Sequence, residues 1–360
     1  MIWTEWDPLE EIIVGVCPPE HFYDNFVRDD RCLPLLNIIL KETKEDLDNL
    51  ASMLEGMGIK VYRPNNLQFR PSIDISTFQI HNPMAPIIPR DQHLVYGNKI
   101  VQTYTSMPDR WLDSVAYYDI FSELFKCGLE WNSMPAPLLK NLDDQSDLYQ
   151  TDRLLWHTAT MFKCGDALIT NSKGPGSQLG LRWMADNYSD CKIVINENSI
   201  QNNFGHIDHG FFMTDDETVF AENKHWAPEI LTKNKNVICL HNVVESPVLS
   251  EVNEIKEQYK AHGNFSFEHL DVWMTEWKGY WQTVAFDFNI LVVDSKNIVI
   301  SNSQPRLQEL LDKHGITCHI APIRHNMFWE AGVHCLTLDV KRRGEKRTII
   351  NTKNEKLYQR

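Results

Sequence analysis

The chain has no paired cysteines, no long apolar run and no excess of positive charge. Its eight cysteines (17, 32, 127, 164, 191, 239, 318 and 335) contain no CxxC pair and no framework spacing. In a chain of 360 residues that pattern reads as reduced thiols in a cytoplasmic compartment. No stretch approaches the roughly 20 apolar residues that cross a bilayer as a helix. The acidic opening MIWTEWDPLEE lacks the layout of a signal peptide. A formal net charge of −14 argues against a general nucleic-acid binder, which needs a basic excess to neutralise phosphates. The one basic run, Lys341 to Arg347, spans a glycine and reads as a solvated hairpin tip. No Gly/Ser/Pro linker divides the chain. The 42% hydrophobic and 23% charged residues are those of a globular protein with enough length for a sizeable core.

What is present is a recurring order of elements. In the clearest unit, Phe288 to Ile323, FNILVVD is a strand, SKN a polar turn and IVISN the return strand. QPRLQELLDKHG follows as a helix, with Pro305 near its start and Gly315 as its stop, and ITCHIAPI is a further strand. The same order recurs from LVYGNKIVQT, from MFKCGDALITN and from FFMTDDETVFAE. Near the N-terminus EEIIVGV, KEDLDNLASMLEGMG and IKVYRP read as strand, helix and strand. The last segment, around Cys335, resembles the other hairpins and is expected to pair with these elements as a fifth module. Repeats of roughly 50 to 80 residues mean stacked or radial arrays, and alternating strands and helices mean α/β architecture.

The modules also share a position. Asp91 precedes LVYGNKIVQ, Asp208 precedes FFMTDDETVF and Asp287 precedes ILVVDSKNIVI. Cys335 stands at the equivalent edge of CLTLDVKRRG, after Gly332 and His334. A repeat that delivers a polar residue to the same edge each time converges those residues on one site. His206 joins them from FGHIDHG, two residues before Asp208, so in a strand both would face one way. A thiol, an imidazole and paired carboxylates suit attack on a cationic carbon. Each residue also has a plainer reading: Cys335 as a core thiol, His206 as a hydrogen-bonded turn histidine, Asp91 as the partner of Arg90 in a surface pair. A metal held by His206, Asp208 and His209 is a further reading, although no second His/Cys cluster at ligand spacing accompanies them.

The segments EWDPLEEIIVG, IIPRD, GHID and AGVHCLTLDVKRRG, in that order, are where the chain resembles the amidinotransferases of the pentein superfamily, five-bladed α/β propellers built from ββαβ-type modules. It looks most similar to their arginine:glycine amidinotransferase group. The resemblance runs from about Trp3 to Gly344 and implies a single catalytic propeller domain over residues 1–360. It implies that Cys335 is the nucleophile and His206 the general acid/base, while Asp91 and Asp208 grip a guanidinium. The amidino group of arginine would pass through a covalent thiouronium on the cysteine to an acceptor amine, releasing ornithine. It implies no cofactor and no metal. The expected partners are arginine and an acceptor amine, with no nucleic acid and no membrane, and a homodimer is one option for assembly. A guanidine-group hydrolase of the arginine deiminase type and a non-catalytic binding module are the alternatives.

The chain departs from the family's pattern at several points. His157 stands where an Asp orients the catalytic His, with Asp152 as a stand-in from the preceding loop. Glu330 replaces a small residue ahead of His-Cys, and Asp287 is an additional acid. An Arg is missing from AENKHWAPE, where Lys224 is the nearest cation. Gln282 and Thr283, in WMTEWKGYWQTV, align with a substrate-contacting stretch. His157 is therefore read as a third catalytic residue, and Gln282, Thr283, Asp287 and Glu330 as substrate-binding. Added carboxylates near the entering amine favour a longer ω-amino acid or diamine over glycine as acceptor.

Overall fold

The computed structural model describes residues 1–25, 33–64, 86–105, 110–136, 154–171, 178–196, 206–222, 224–240, 288–353 and 357–358, and the backbone of a short hairpin at 73–75 and 78–80. Five three-stranded sheets account for most of the strands. The chain opens with β1 (Leu9–Val14), α1 (Leu33–Gly56) and β2 (Lys60–Tyr62), and the hairpin supplies β3 (Ile73–Ile75) and β4 (Phe78–Ile80). The second module holds β5 (His93–Tyr96), β6 (Lys99–Gln102), α2 (Tyr118–Lys126) and β7 (Glu130–Ser133). The third holds β8 (Met161–Cys164), β9 (Ala167–Asn171), α3 (Gln178–Asn187) and β10 (Lys192–Asn196). The fourth holds β11 (Phe211–Met213), β12 (Thr218–Ala221), α4 (Glu229–Asn234) and β13 (Asn236–Cys239). The fifth holds β14 (Leu291–Asp294), β15 (Asn297–Ile300), α5 (Pro305–Lys313) and β16 (Thr317–Ile320). Then follow α6 (Asn326–Trp329) and β17 (Thr337–Arg342).

Each sheet is an antiparallel pair with a third strand added in parallel after the helix. The first module is assembled from both ends of the chain. β17 pairs antiparallel with β1, which pairs parallel with β2. This corrects the hairpin reading of the last segment: β17 has no return strand of its own and uses β1 as its partner. The ring is thereby closed, as the α/β propeller reading expects.

Local chemistry explains the elements. β5, β8 and β9 are buried along their whole length, which fits their β-branched and apolar content. Gly97 and Gly165 take the first position of two-residue hairpin turns with φ of +63° and +68°, where L-residues are strained. Space forbids a side chain at Gly165 as well, because a Cβ there would lie 2.1 Å from the Arg347 carbonyl oxygen. At the end of α5 the Ile316 N–H donates to the Leu311 carbonyl at 2.9 Å across Gly315, a helix stop that satisfies a terminal carbonyl. The helix KEDLDNLASMLEGMG is longer than its sequence suggests. It begins at Leu33, with Pro34 in the first turn where no N–H is needed. Its buried face recurs at three- and four-residue steps through Leu36, Ile39, Leu40, Leu47, Leu50 and Leu54.

The basic run is not a solvated tip throughout. Arg342 is 1% exposed and its Nε donates to Asp339 at 2.8 Å. Arg347 forks onto Asp7 and Asp216. Lys341, Arg343 and Lys346 are its exposed cations. No helix among the described residues is long and apolar enough to cross a membrane.

Candidate active site

The turn leading into the first strand of each sheet is where the polar residues collect. A 3-10 turn, Pro89–Asp91, precedes β5. His157 opens the turn Thr158–Thr160 before β8, and His206 opens the turn Ile207–His209 before β11. Asn289 stands two residues before β14, and Cys335 two residues before β17. His206 and Asp208 therefore belong to a tight turn and not to a strand, yet they still serve one pocket.

The turn around Cys335 is fixed from several sides. The Cys335 N–H donates to Asn289 Oδ1 at 2.8 Å, and the His334 N–H donates to the Asn289 carbonyl at 3.2 Å. Arg90 Nε donates to the carbonyls of His334 and Thr337 at 2.9 and 3.1 Å. The Arg90 guanidinium is 5% exposed, with Nη2 2.7 Å from Asp339 and Nη1 3.6 Å from Glu5. Lys163 Nζ lies 3.1 Å from Glu5 and 3.4 Å from Asp339. Arg90 is thus a buried clamp on the cysteine turn, which overturns its reading as a surface partner of Asp91. Buried charges are tolerated only when paired, and these alternate in sign.

Cys335 is 1% exposed. Its Sγ accepts from Asn289 Nδ2 at 3.1 Å and lies 3.7 Å from both Asp208 Oδ2 and His209 Nε2. Asp208 Oδ2 is held by Asn289 Nδ2 at 2.9 Å and by His334 Nδ1 at 2.5 Å. His334 reaches on to Glu5 through Nε2 at 3.4 Å. Asp91 Oδ2 is paired with Arg110 Nη1, whose Nε donates to Asp113 at 2.9 Å. His157 Nε2 lies 3.6 Å from Asp91 Oδ2, and its ring centroid is 4.5 Å from that of His206. The other oxygens, Asp91 Oδ1 and Asp208 Oδ1, are buried with no hydrogen-bond partner among the described residues.

Burial, reinforced by the charges of Asp208 and Asp91, pushes the Cys335 thiol up, against the pull of Arg90 and the Asn289 hydrogen bond. Burial also works against ionisation of Asp208, but His209, His334 and His206 outweigh it and hold that carboxyl low. At Asp91 burial is likewise outweighed, by His157, Arg110 and His206, and the carboxyl sits at about 2. Burial brings His157 down to about 3 and His209 to about 4. With His157 neutral at working pH, Arg110 is the lasting cation beside Asp91. The resting pocket therefore sets two carboxylates beside a protonated thiol, an arrangement that favours a cationic guest.

The structure brings together Cys335, His206, His157, Asp91 and Asp208 as the sequence suggests. Glu330 is exposed, with a left-handed φ of +50°, and no described contact joins it to the thiol. Lys224 is exposed as well. Gln282, Thr283, Asp287 and Asp152 lie outside the described residues. Sequence reading missed Asn289, His334 and Arg110. Asn289 carried a usable signal, since it has the same offset to its strand as Cys335. Arg110 carried none, because it reaches Asp91 from a separate turn.

No family model matches the chain. Over 369 residues it is 26% identical to inosamine-phosphate amidinotransferase 1 of Streptomyces griseus, covering 95% of this chain and 96% of that one. It is 24% identical to the L-arginine:L-lysine amidinotransferase of Pseudomonas savastanoi pv. phaseolicola, covering 97% and 96% of the two chains. Among solved structures it superposes on SxtG, an amidinotransferase of Microseira wollei, with a TM-score of 0.72, 19% identity and coverage of 97% and 99%.

Proposed function

We propose that this chain, which is similar along nearly its whole length to amidinotransferases, takes the amidino group from arginine, carries it on Cys335 and delivers it to a primary amine. One observation carries the reading. Two buried carboxylates flank the thiol, and each has one oxygen tied down and the other, Asp91 Oδ1 or Asp208 Oδ1, without a hydrogen bond among the described residues. A guanidinium is planar, always charged and rich in N–H donors, so it satisfies both orphan oxygens at once. Its charge also offsets the like charges that keep the thiol protonated.

In the first half-reaction the thiol proton passes to His206 and the sulfur attacks the guanidinium carbon. The bond from that carbon to the side-chain nitrogen of arginine breaks. His206 returns the proton to the departing amine, and ornithine leaves. Cys335 then holds the amidino group as a thiouronium. In the second half-reaction the acceptor amine attacks the same carbon, gives up a proton to His206 and expels the thiolate. The residues supply binding, orientation and proton transfer.

The acceptor is read as a longer ω-amino acid or diamine, because a pocket already holding two carboxylates repels a third close to the entering nitrogen. The test is to incubate the full chain with arginine and, separately, glycine, 4-aminobutyrate, lysine or putrescine. Ornithine and a guanidino product should form together, with glycine giving the lowest kcat/KM. Citrulline in place of ornithine would replace the transferase reading by a hydrolase, and glycine winning clearly would refute the acceptor class.

A further inference from the structure

Three imidazoles lie in file toward the sulfur. The His157 and His206 centroids are 4.5 Å apart, those of His206 and His209 are 5.0 Å apart, and His209 Nε2 is 3.7 Å from Cys335 Sγ. Proton transfer needs one of these rings, and the reaction above gives that task to His206. The other two remain unexplained, and they share a property with it. His206, Asp208, His209 and Cys335 each bring a ligand atom within 4.8 Å of the others. Asp91, His157 and His206 form an overlapping set at the same spacing. The sequence offers His206, Asp208 and His209 as one metal set, and the structure adds Cys335 and His157 from distant modules.

We propose that Cys335 Sγ, His209 Nε2, the Asp208 carboxylate and His206 form a binding site for a soft divalent transition ion of the zinc class, and that the ion competes with the guanidinium. Tetrahedral zinc holds sulfur and nitrogen donors about 3.5 Å apart. The sulfur is 3.7 Å from both His209 Nε2 and Asp208 Oδ2, so the donors close on an ion with little movement. Buried atoms are open to a ligand, since His206 Nδ1 and Asp208 Oδ1 make no hydrogen bond among the described residues. The carboxylate is also oriented as ligand carboxylates are, by outer partners: His334 Nδ1 at 2.5 Å and Asn289 Nδ2 at 2.9 Å. A thiolate with imidazoles selects zinc-class ions over Mg²⁺ and Ca²⁺, which need oxygen shells.

Binding replaces the thiol proton, which leaves to solvent, so one proton is released for each ion bound. The thiolate and the carboxylate then balance the charge of the ion. With its sulfur lone pair and Asp208 occupied, the site cannot attack a guanidinium, and the ion acts as a reversible inhibitor. Only this competition rests on the transferase reading.

The test uses the full chain after chelator treatment, with Co²⁺ as a spectroscopic probe and Zn²⁺ by calorimetry. We expect one ion per chain, tetrahedral visible bands, a sulfur-to-cobalt charge-transfer band and a heat that depends on buffer ionisation. Cys335→Ser should abolish the charge-transfer band. His209→Asn should weaken binding about tenfold or more, the scale on which changes around metal ligands act. Methylguanidine should raise the apparent Kd in proportion to its concentration. Absence of bound cobalt, or a charge-transfer band that survives in Cys335→Ser, would overturn the site. An affinity indifferent to methylguanidine would overturn the competition. A chain that binds cobalt through sulfur but forms no ornithine would sink the transferase reading and leave the metal site standing.

Discussion

Asn289 grips Cys335 at both ends of its amide: Oδ1 accepts the cysteine N–H at 2.8 Å, and Nδ2 points to the sulfur at 3.1 Å and to Asp208 at 2.9 Å. This places the thiol and a carboxylate on one rigid fork. Replacing Asn289 by Leu removes both donations and strands a buried N–H. A hydrogen bond to a charged group contributes about 1.5–3 kcal/mol, so kcat/KM for arginine should fall about tenfold to a hundredfold. An unchanged kcat/KM would show that the fork is ornamental to the reaction.

Cys335→Ala should abolish ornithine release, and the wild type should gain an amidino mass on the peptide containing Cys335 when quenched during turnover. Mass spectrometry of the quenched digest reads this directly. Turnover surviving in the alanine variant would dismiss covalent catalysis.

Asp91→Asn and Asp208→Asn each remove one charged arm from the guanidinium. Each should lower kcat/KM about tenfold to a hundredfold or more, on the same 1.5–3 kcal/mol scale. The two should differ in kind. Asp91→Asn also leaves Arg110 with Asp113 alone, whereas Asp208→Asn disturbs His334 and Asn289 beside the sulfur. Wild-type rates in both would mean that arginine binds elsewhere.

His157 is neutral down to about pH 3 because burial disfavours its charged form, so it does not titrate in the working range. His157→Asn should lower kcat and leave the acid limb of the pH–rate profile in place. His157→Asp adds a third carboxylate beside Asp91 and His206. That favours protonated imidazole and should move the acid limb to higher pH. Profiles of the two variants that coincide would assign His157 to packing.

Glu5 links the site to the buried charges. Burial opposes its ionisation, but Lys163, His334 and Arg90 hold its carboxyl down at about 2, from an ordinary 4.5. A depressed carboxyl stabilises the fold fully above its unfolded value and loses that contribution as pH falls through the folded one. Glu5→Gln should therefore cost about 3–5 kcal/mol near neutral pH, the scale for breaking a buried pair. The gap from wild type should close as pH falls from about 4.5 toward 2. Denaturant melts across that range check it, and a gap constant with pH would mean that Glu5 acts through shape alone.

The modules were legible because their strands, turns and helix stops are local: Pro305 and Gly315 bracket α5, and Gly97 and Gly165 mark hairpin turns. The site was legible where a polar residue stands two or three positions before a strand, as Asp91, Asp208 and Cys335 do. Asp287 lies outside the described residues, and with β14 beginning at Leu291 the residue at the offset of Cys335 is Asn289. Arg90 looked like a neighbour of Asp91, yet its partners, Glu5 and Asp339, lie in distant segments. Pairings of that kind depend on the closed ring, and no local pattern announces them. Glu330 was chosen by analogy with a small residue, and its exposure leaves it no described role at the sulfur.

The pairing of β17 with β1 sets an order of events during synthesis. β1 leaves the ribosome early and must wait, one edge uncovered, until β17 has been made. Contacts this far apart in sequence are slow to form. Every carboxylate and imidazole of the pocket is translated before Cys335, so the residues assigned to the guanidinium under the proposed function are made before the thiol. The sulfur arrives with the strand that closes the ring, so under the proposed function chemical competence comes only with the last step of the fold.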